Sequence, residues 1–261
     1  MRLGRIQNNY TKEGFDLVLS QGLSFVEICC NNRGEAEKLV AAKDSIKEQI
    51  LRTGIDVSCV GRWNHTILKD GKVDKDELYS YEALLDAAVD LGAKTLVLGV
   101  NYDSSVSLFR NYSNAIDFLG TMTERAAGRI KVAIQNCSWN NFIVEPEHWD
   151  IVLGENKDLW LKYDASHAYN RGSDYLGQLS DWCERVAHVH IKGTTHAGKR
   201  AVADPPAGMD DILWGPLFSI LYARGYNGDL SIEPHSSVWQ GELGNAGVMF
   251  TKEFISKYIL H

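Results

Sequence analysis

The sequence predicts a single (β/α)₈ barrel over residues 1–261, and three observations predict it. Strand-like and helix-like segments alternate along the whole chain, and no Pro/Gly/Ser-rich linker divides them. Most of the strand-like segments are continuous apolar runs rather than alternating ones, the pattern of parallel strands covered by helices. Eight such runs, each followed by a helical pattern, complete a barrel in a chain of 261 residues, close to the roughly 250 that the fold needs.

In chain order the strands are expected at Leu3–Ile6, Phe25–Cys30, Asp56–Val60, Thr95–Val100, Ile130–Gln135, Leu159–Asp164, Val186–Ile191 and Asp229–Glu233. Among the helices, Glu35–Arg52 and Glu77–Leu91 have the clearest apolar spacing at i, i+3, i+4 and i+7, and the last is expected at Val248–Leu260. Thr11, Asp74 and Ser104 are candidate N-caps, because a short polar side chain satisfies free amides at a helix start. Gly54, Gly92 and Gly225 follow helical stretches, where a left-handed residue closes the last turn. The long irregular piece is Gly193–Asp211, after the seventh strand, and a loop of that length is usually functional.

Composition narrows the class. With 44% hydrophobic and 23% charged residues the chain reads as globular, and its net charge of −7 argues against nucleic acid as the main partner. No stretch approaches the roughly 20 apolar residues of a membrane span, and the first residues lack the apolar core of a secretory signal. Cys29, Cys30, Cys59, Cys137 and Cys183 are odd in number and scattered, which reads as buried reduced thiols in a cytoplasmic protein.

Four polar residues close four consecutive strands, one each: Gln135, Asp164, His190 and Glu233. A lone Asp at a strand end is usually a cap, and a lone His is often a core residue with a satisfied partner. Four at homologous positions of successive units are another matter, because the C-terminal ends of barrel strands converge on one point. One oxygen or nitrogen donor per strand is how such a barrel builds a divalent metal site.

The second half carries a family resemblance: QNCSW after strand five, Asp164-Ala-Ser-His167 after strand six, VAHVHIKG around strand seven and LSIEPHSSVWQGEL after strand eight. With these the chain resembles the xylose-isomerase-like TIM barrels, sugar and sugar-phosphate isomerases and epimerases, over essentially its whole length. The resemblance implies Mn²⁺ or Mg²⁺, or else Co²⁺ or Zn²⁺, held by Asp164, His190 and Glu233 with Gln135 in the fourth place. It implies Glu233 as general base, His167 as a substrate contact, and either His196 or Arg200 as a further grip on substrate. His235 is a candidate orienting partner for the metal ligands. Related barrels pair with a second copy or work with a smaller partner subunit.

Gln135 departs from that pattern. Family epimerases flank the reacting carbon with two carboxylates, one removing a proton and one returning it. The Gln135 amide can coordinate a metal but cannot accept a proton. Three accounts follow: chemistry with a single carboxylate base, a Glu→Gln change made to trap substrate, or a homologue that binds sugar without turnover. Single-base chemistry covers aldose–ketose isomerisation, dehydration of a keto-inositol and cleavage of a 3-keto-glycoside, with His65 or His167 as the acid. A DNA-repair endonuclease on the same barrel would need more histidine ligands and a basic groove, which this acidic chain lacks.

Trp63, Trp139, Phe142, Trp214 and Trp239 fall in segments after strands three, five, seven and eight, where they either face a sugar ring or pack helices onto the barrel. Glu27 ends strand two and is expected to bond a substrate hydroxyl or orient a metal ligand. Lys192, Lys199 and Arg200 are the local cations and no Gly-rich phosphate cradle accompanies them, so a non-phosphorylated sugar or glycoside is the expected substrate.

Overall fold

Eight parallel strands close into a barrel in a computed structural model that describes residues 1–234 and 236–260. The strands are Arg2–Ile6, Phe25–Cys29, Asp56–Arg62, Thr95–Leu98, Lys131–Gln135, Leu159–Asp164, Val186–Ile191 and Asp229–Ile232. Around the barrel they run in the order one, eight, seven, six, five, four, three, two. Closure is made where Arg2, Leu3, Gly4 and Arg5 pair with Asp229, Leu230, Ser231 and Ile232. All eight lie within two residues of the expected bounds.

Helices cover the outside because each presents an apolar stripe to the strands. In α2 (Glu35–Thr53) that stripe includes Ala36, Leu39 and Ile46, and in α3 (Lys75–Asp90) it includes Tyr81, Leu84, Leu85 and Ala88. Asp74 caps α3 by accepting from the amides of Asp76 and Glu77. Gly54 ends α2 at φ 72°, a conformation without Cβ strain only for glycine.

Several expectations need correction. Ser107, not Ser104, caps α4 (Leu108–Ala126), accepting from the Arg110 amide. Thr11 sits at the N-cap of α1 (Lys12–Ser20), but its hydroxyl is engaged with Asn9 and Glu13 rather than with the helix amides. The last helix runs Gly241–Ser256, so its first two turns lie before Val248; Gly244 and Gly247 there form part of its buried face, a packing pattern that sequence hydropathy does not register. The segment Gly193–Asp211 is not wholly irregular: Thr195–Ala197 pairs antiparallel with Arg200–Ala203. After strand six, a short helix, Ala165–Arg171, precedes the one spanning Tyr175–Trp182.

Inside the barrel, Cys29, Cys59, Trp63, Val97 and Ala133 form a small apolar cluster separate from the core beneath the helices. Polar residues share this interior. Register shifts occur between Val26 and Glu27 and between Leu161 and Lys162, just before two of them. An irregularity of this kind re-aims the residues that follow it.

Candidate metal centre

Three of the four donors expected at the strand ends meet. One atom each of Asp164, His190 and Glu233 lies within 4.8 Å of the others. Asp164 and His190 are register partners on strands six and seven, and the Glu233 amide donates to the Ile191 carbonyl at 3.1 Å, extending strand eight by one residue.

Each of these donors is positioned by specific bonds. Asp164 Oδ1 accepts from the Ser166 amide at 2.9 Å and from its hydroxyl at 2.6 Å, so one residue caps the short helix and serves the site. Its Oδ2 is buried without a hydrogen-bond partner. Around that oxygen stand His167 Nε2 at 3.5 Å, Lys162 Nζ at 3.8 Å and His190 Nδ1 at 3.9 Å. These spacings are longer than sound hydrogen bonds. For His190 the spacing resembles the edge between two ligands of a common ion.

His190 is held between two carboxylates. Its Nε2 lies 3.0 Å from both oxygens of Glu27, and its Nδ1 lies 3.0 Å from Glu233 Oε2. Burial works against the imidazolium, yet Glu27 and Glu233 outweigh it and raise the His190 pKa. An ion at Nδ1 would replace the contact of that nitrogen with Glu233 and requires it unprotonated. Burial likewise opposes the Glu233 carboxylate, but Lys192 and His190 hold its pKa well below the usual range.

Gln135 is fully buried at the end of strand five, and neither its amide oxygen nor its nitrogen has a hydrogen-bond partner. A primary amide buried with both ends unmatched is costly unless something binds there. With the bare Asp164 oxygen, this orphaned amide fits a cation site of mixed oxygen and nitrogen donors.

The remaining expected residues divide. His167 lies against the ligand ring, 3.4 Å from Lys192 Nζ; burial, joined by the two lysines, pushes its pKa down to about 3 despite Asp164. Glu27, of the two roles expected, has the geometry of an orienter: it is fully buried and bonded to His190 and to His188 Nε2 at 2.9 Å. His65 is drawn elsewhere, its Nε2 at 3.2 Å from the Cys30 carbonyl and its Nδ1 at 3.3 Å from Arg62.

His196 lies on the hairpin after strand seven, 2.8 Å from Asn170 Oδ1 and ring-packed on Tyr169. It lines a side cavity of about 580 Å³ with Tyr169, Asn170, Tyr175 and Lys199. Arg200 is exposed on the same hairpin. Trp139 is 54% exposed, and Trp239 borders a small cavity beside Glu233. Three of the aromatics left open between sugar contact and packing have packing partners. Trp214 is buried with Nε1 donating to Asp210, Phe142 packs between Tyr102 and Tyr112, and Trp63 lies edge-on to His190. His235 lies outside the described residues.

Lys162 escaped the sequence reading: it is 1% exposed and its Nζ faces Asp164. Lys192, expected only as a local cation, is 3% exposed, with burial opposed by Glu233 and Asp164, which raise its pKa. Lys162 stands two residues before Asp164 on the same strand, and that spacing was the available signal.

The closed barrel and this ring at its C-terminal end define a class. The chain belongs to the xylose isomerase-like TIM barrel family, whose model matches residues 15–253. Among solved structures it resembles the apo 3-keto-D-glucoside 4-epimerase YcjR from E. coli, at TM-score 0.79 and 18% identity over 98% of this chain and 99% of that one. D-psicose 3-epimerase from Clostridium cellulolyticum H10, solved with D-tagatose, superposes at TM-score 0.78 and 16% identity over 99% of both chains. An IolI protein with a bound zinc atom superposes at TM-score 0.79 and 16% identity over the full length of both. Comparison with curated protein sequences finds no match. Among the described residues no helix is long and apolar enough to cross a membrane.

Proposed function

We propose that the chain, acting as one domain, is a divalent-metal-dependent enzyme that abstracts the proton next to the carbonyl of a keto-sugar or polyol. The observation that carries this reading is the convergence of Asp164, His190 and Glu233 donors within 4.8 Å at the strand ends. Asp164, His190 and Glu233 would hold the ion, with the Gln135 amide oxygen in the fourth place. When bound, Mn²⁺ or a similar ion would polarise the carbonyl and acidify its neighbouring C–H.

The chain's own groups supply the rest. Glu233, kept ionised by Lys192 and His190, takes the proton. His167 is held neutral at pH 7 and hydrogen-bonds a hydroxyl of the substrate. Lys192 Nζ, 3.4 Å from His167 Nε2, is then a better-placed proton donor than either histidine. Glu27 orients His190, as second partners of ligating histidines commonly do. The exposed Trp139 and the partly buried Trp239 offer apolar faces to a sugar ring or an aglycone.

Gln135 favours one branch of this chemistry. With a single carboxylate base, isomerisation, dehydration or elimination from a 3-keto-glycoside needs no second acidic side chain, whereas two-base epimerisation does. The 3-keto-glucoside and ketose epimerases among its structural neighbours make keto-sugars the first substrates to try.

The test is deuterium uptake from D₂O into ketoses, keto-inositols and 3-keto-glycosides with Mn²⁺ present. The unaltered chain should exchange the α-hydrogen of one of them, and Glu233→Gln should slow exchange by about 10²–10⁴-fold. Exchange only after Gln135→Glu would mark a disabled two-base epimerase. Binding without exchange by either chain would replace the enzyme reading with a sugar-binding one.

A further inference from the structure

We infer that Lys162 is a built-in competitor of the divalent cation: its ammonium faces the Asp164 oxygen the ion needs and keeps the affinity of the site low. This rests on the metal reading above and adds a determinant of how tightly the ion is held. Asp164 has one oxygen committed to Ser166, so Oδ2 is the oxygen left for a cation. Lys162 Nζ stands 3.8 Å from it.

Lys162 cannot swing away as a surface lysine would. It sits on strand six with Gln135 and His188 as register partners on either side, its side chain is 1% exposed, and its Nζ lies 5.7 Å from the centre of the Trp63 ring. At that distance the aromatic face attracts the ammonium and helps hold it in place.

Charge around the ring points the same way. Asp164, Glu233 and Glu27 bring three negative charges; against them stand the ammonium groups of Lys162 and Lys192 and the His190 imidazole held between two of the carboxylates, while the Gln135 amide brings none. Much of the negative charge of the ring is thus already compensated before any ion arrives. A cation binding Asp164 Oδ2 would meet a fixed like charge that stands 3.8 Å from that oxygen, in a site with little water to screen it.

Mn²⁺ titration, followed by the EPR signal of the free ion, tests this on the full chain and needs no substrate. Lys162→Met, which keeps the length of the side chain and removes the charge, should bind Mn²⁺ at least about thirtyfold tighter than the unaltered chain. Lys162→Arg, which keeps the charge, should bind no tighter, and Asp164→Asn should bind far more weakly than the unaltered chain. Equal affinity of Lys162→Met and the unaltered chain, with binding lost in Asp164→Asn, overturns the inference and leaves the metal reading standing. A gain in Lys162→Arg as large as in Lys162→Met overturns it too, because packing rather than charge would be the cause. No binding even by Lys162→Met overturns both. Should Lys162→Met fail to give the circular dichroism of the unaltered chain, Lys162→Gln takes its place with the same expectations.

Discussion

At the scale of single residues, the site is a set of buried charges whose states are set by neighbours. Glu27 shows this best, because one carboxylate contacts His188 and both its oxygens contact His190. Burial alone would raise its pKa; the two imidazoles outweigh that and hold it well below the usual carboxylate range. Glu27→Gln should leave the ligand ring present but poorly aimed, weakening Mn²⁺ binding by about 10–100-fold in calorimetric titration. Unchanged affinity would mean that Glu233 and packing against Trp63 aim His190 without Glu27. Of this ring, Asp164, His190, Glu233 and Gln135 were legible in the sequence because each closes an apolar run. Lys162 was harder to find, since it sits inside its run, and only its two-residue spacing from Asp164 marks it as sharing the inward face.

At the scale of elements, close approaches fix where the site residues stand. Gly61, near the end of strand three, faces the Trp63 ring: a Cβ there would lie 2.0 Å from ring carbon Cζ3. Trp63 in turn packs edge-on to His190, with ring centroids 6.3 Å apart. Gly61→Ala should therefore cost about 1–3 kcal/mol in urea unfolding through overpacking, and lower metal affinity as His190 is displaced. Asp74 acts more locally. Asp74→Ala removes an acceptor from two amides of α3 and should cost about 1 kcal/mol, with metal affinity unchanged. The expected cap at Ser104 failed for a local reason: Asp103 accepts from Ser105 and the Gly71 amide, holding the chain in a turn until Ser107.

For the molecule as a whole, the face opposite the site is held by a charge network at the seam of the barrel. Asp229 on strand eight accepts from Arg2 on strand one through both oxygens, and also from Ser58 and Lys94. Burial raises the Asp229 carboxyl, but these donors outweigh it and lower its pKa below that of a free aspartate. The sign follows. A carboxyl with a depressed folded pKa contributes stability that is complete above its unfolded value of about 4 and is lost as pH falls through the folded one. Asp229→Asn should thus destabilise the protein by about 2 kcal/mol at pH 7, discounted because Arg2 and Lys94 are partly exposed, and by progressively less below pH 4. Thermal unfolding of both chains between pH 2 and 7 measures this, and a constant difference across that range would remove the seam from the account.

The sequence by itself determined the barrel and the donors at its rim, because apolar runs of strand length and polar residues closing them are local facts of the chain. Length, alternation and the four strand ends required no long-range information. Only the tertiary structure decided what surrounds those donors. Glu27, Lys162 and His190 come from strands two, six and seven, and their charges act on one another only once the closed barrel brings them together and excludes water. The same closure set the packing partners of Trp63, Trp214 and Phe142, which the sequence left open, since a side chain's burial is a property of all its neighbours and not of its place in the chain.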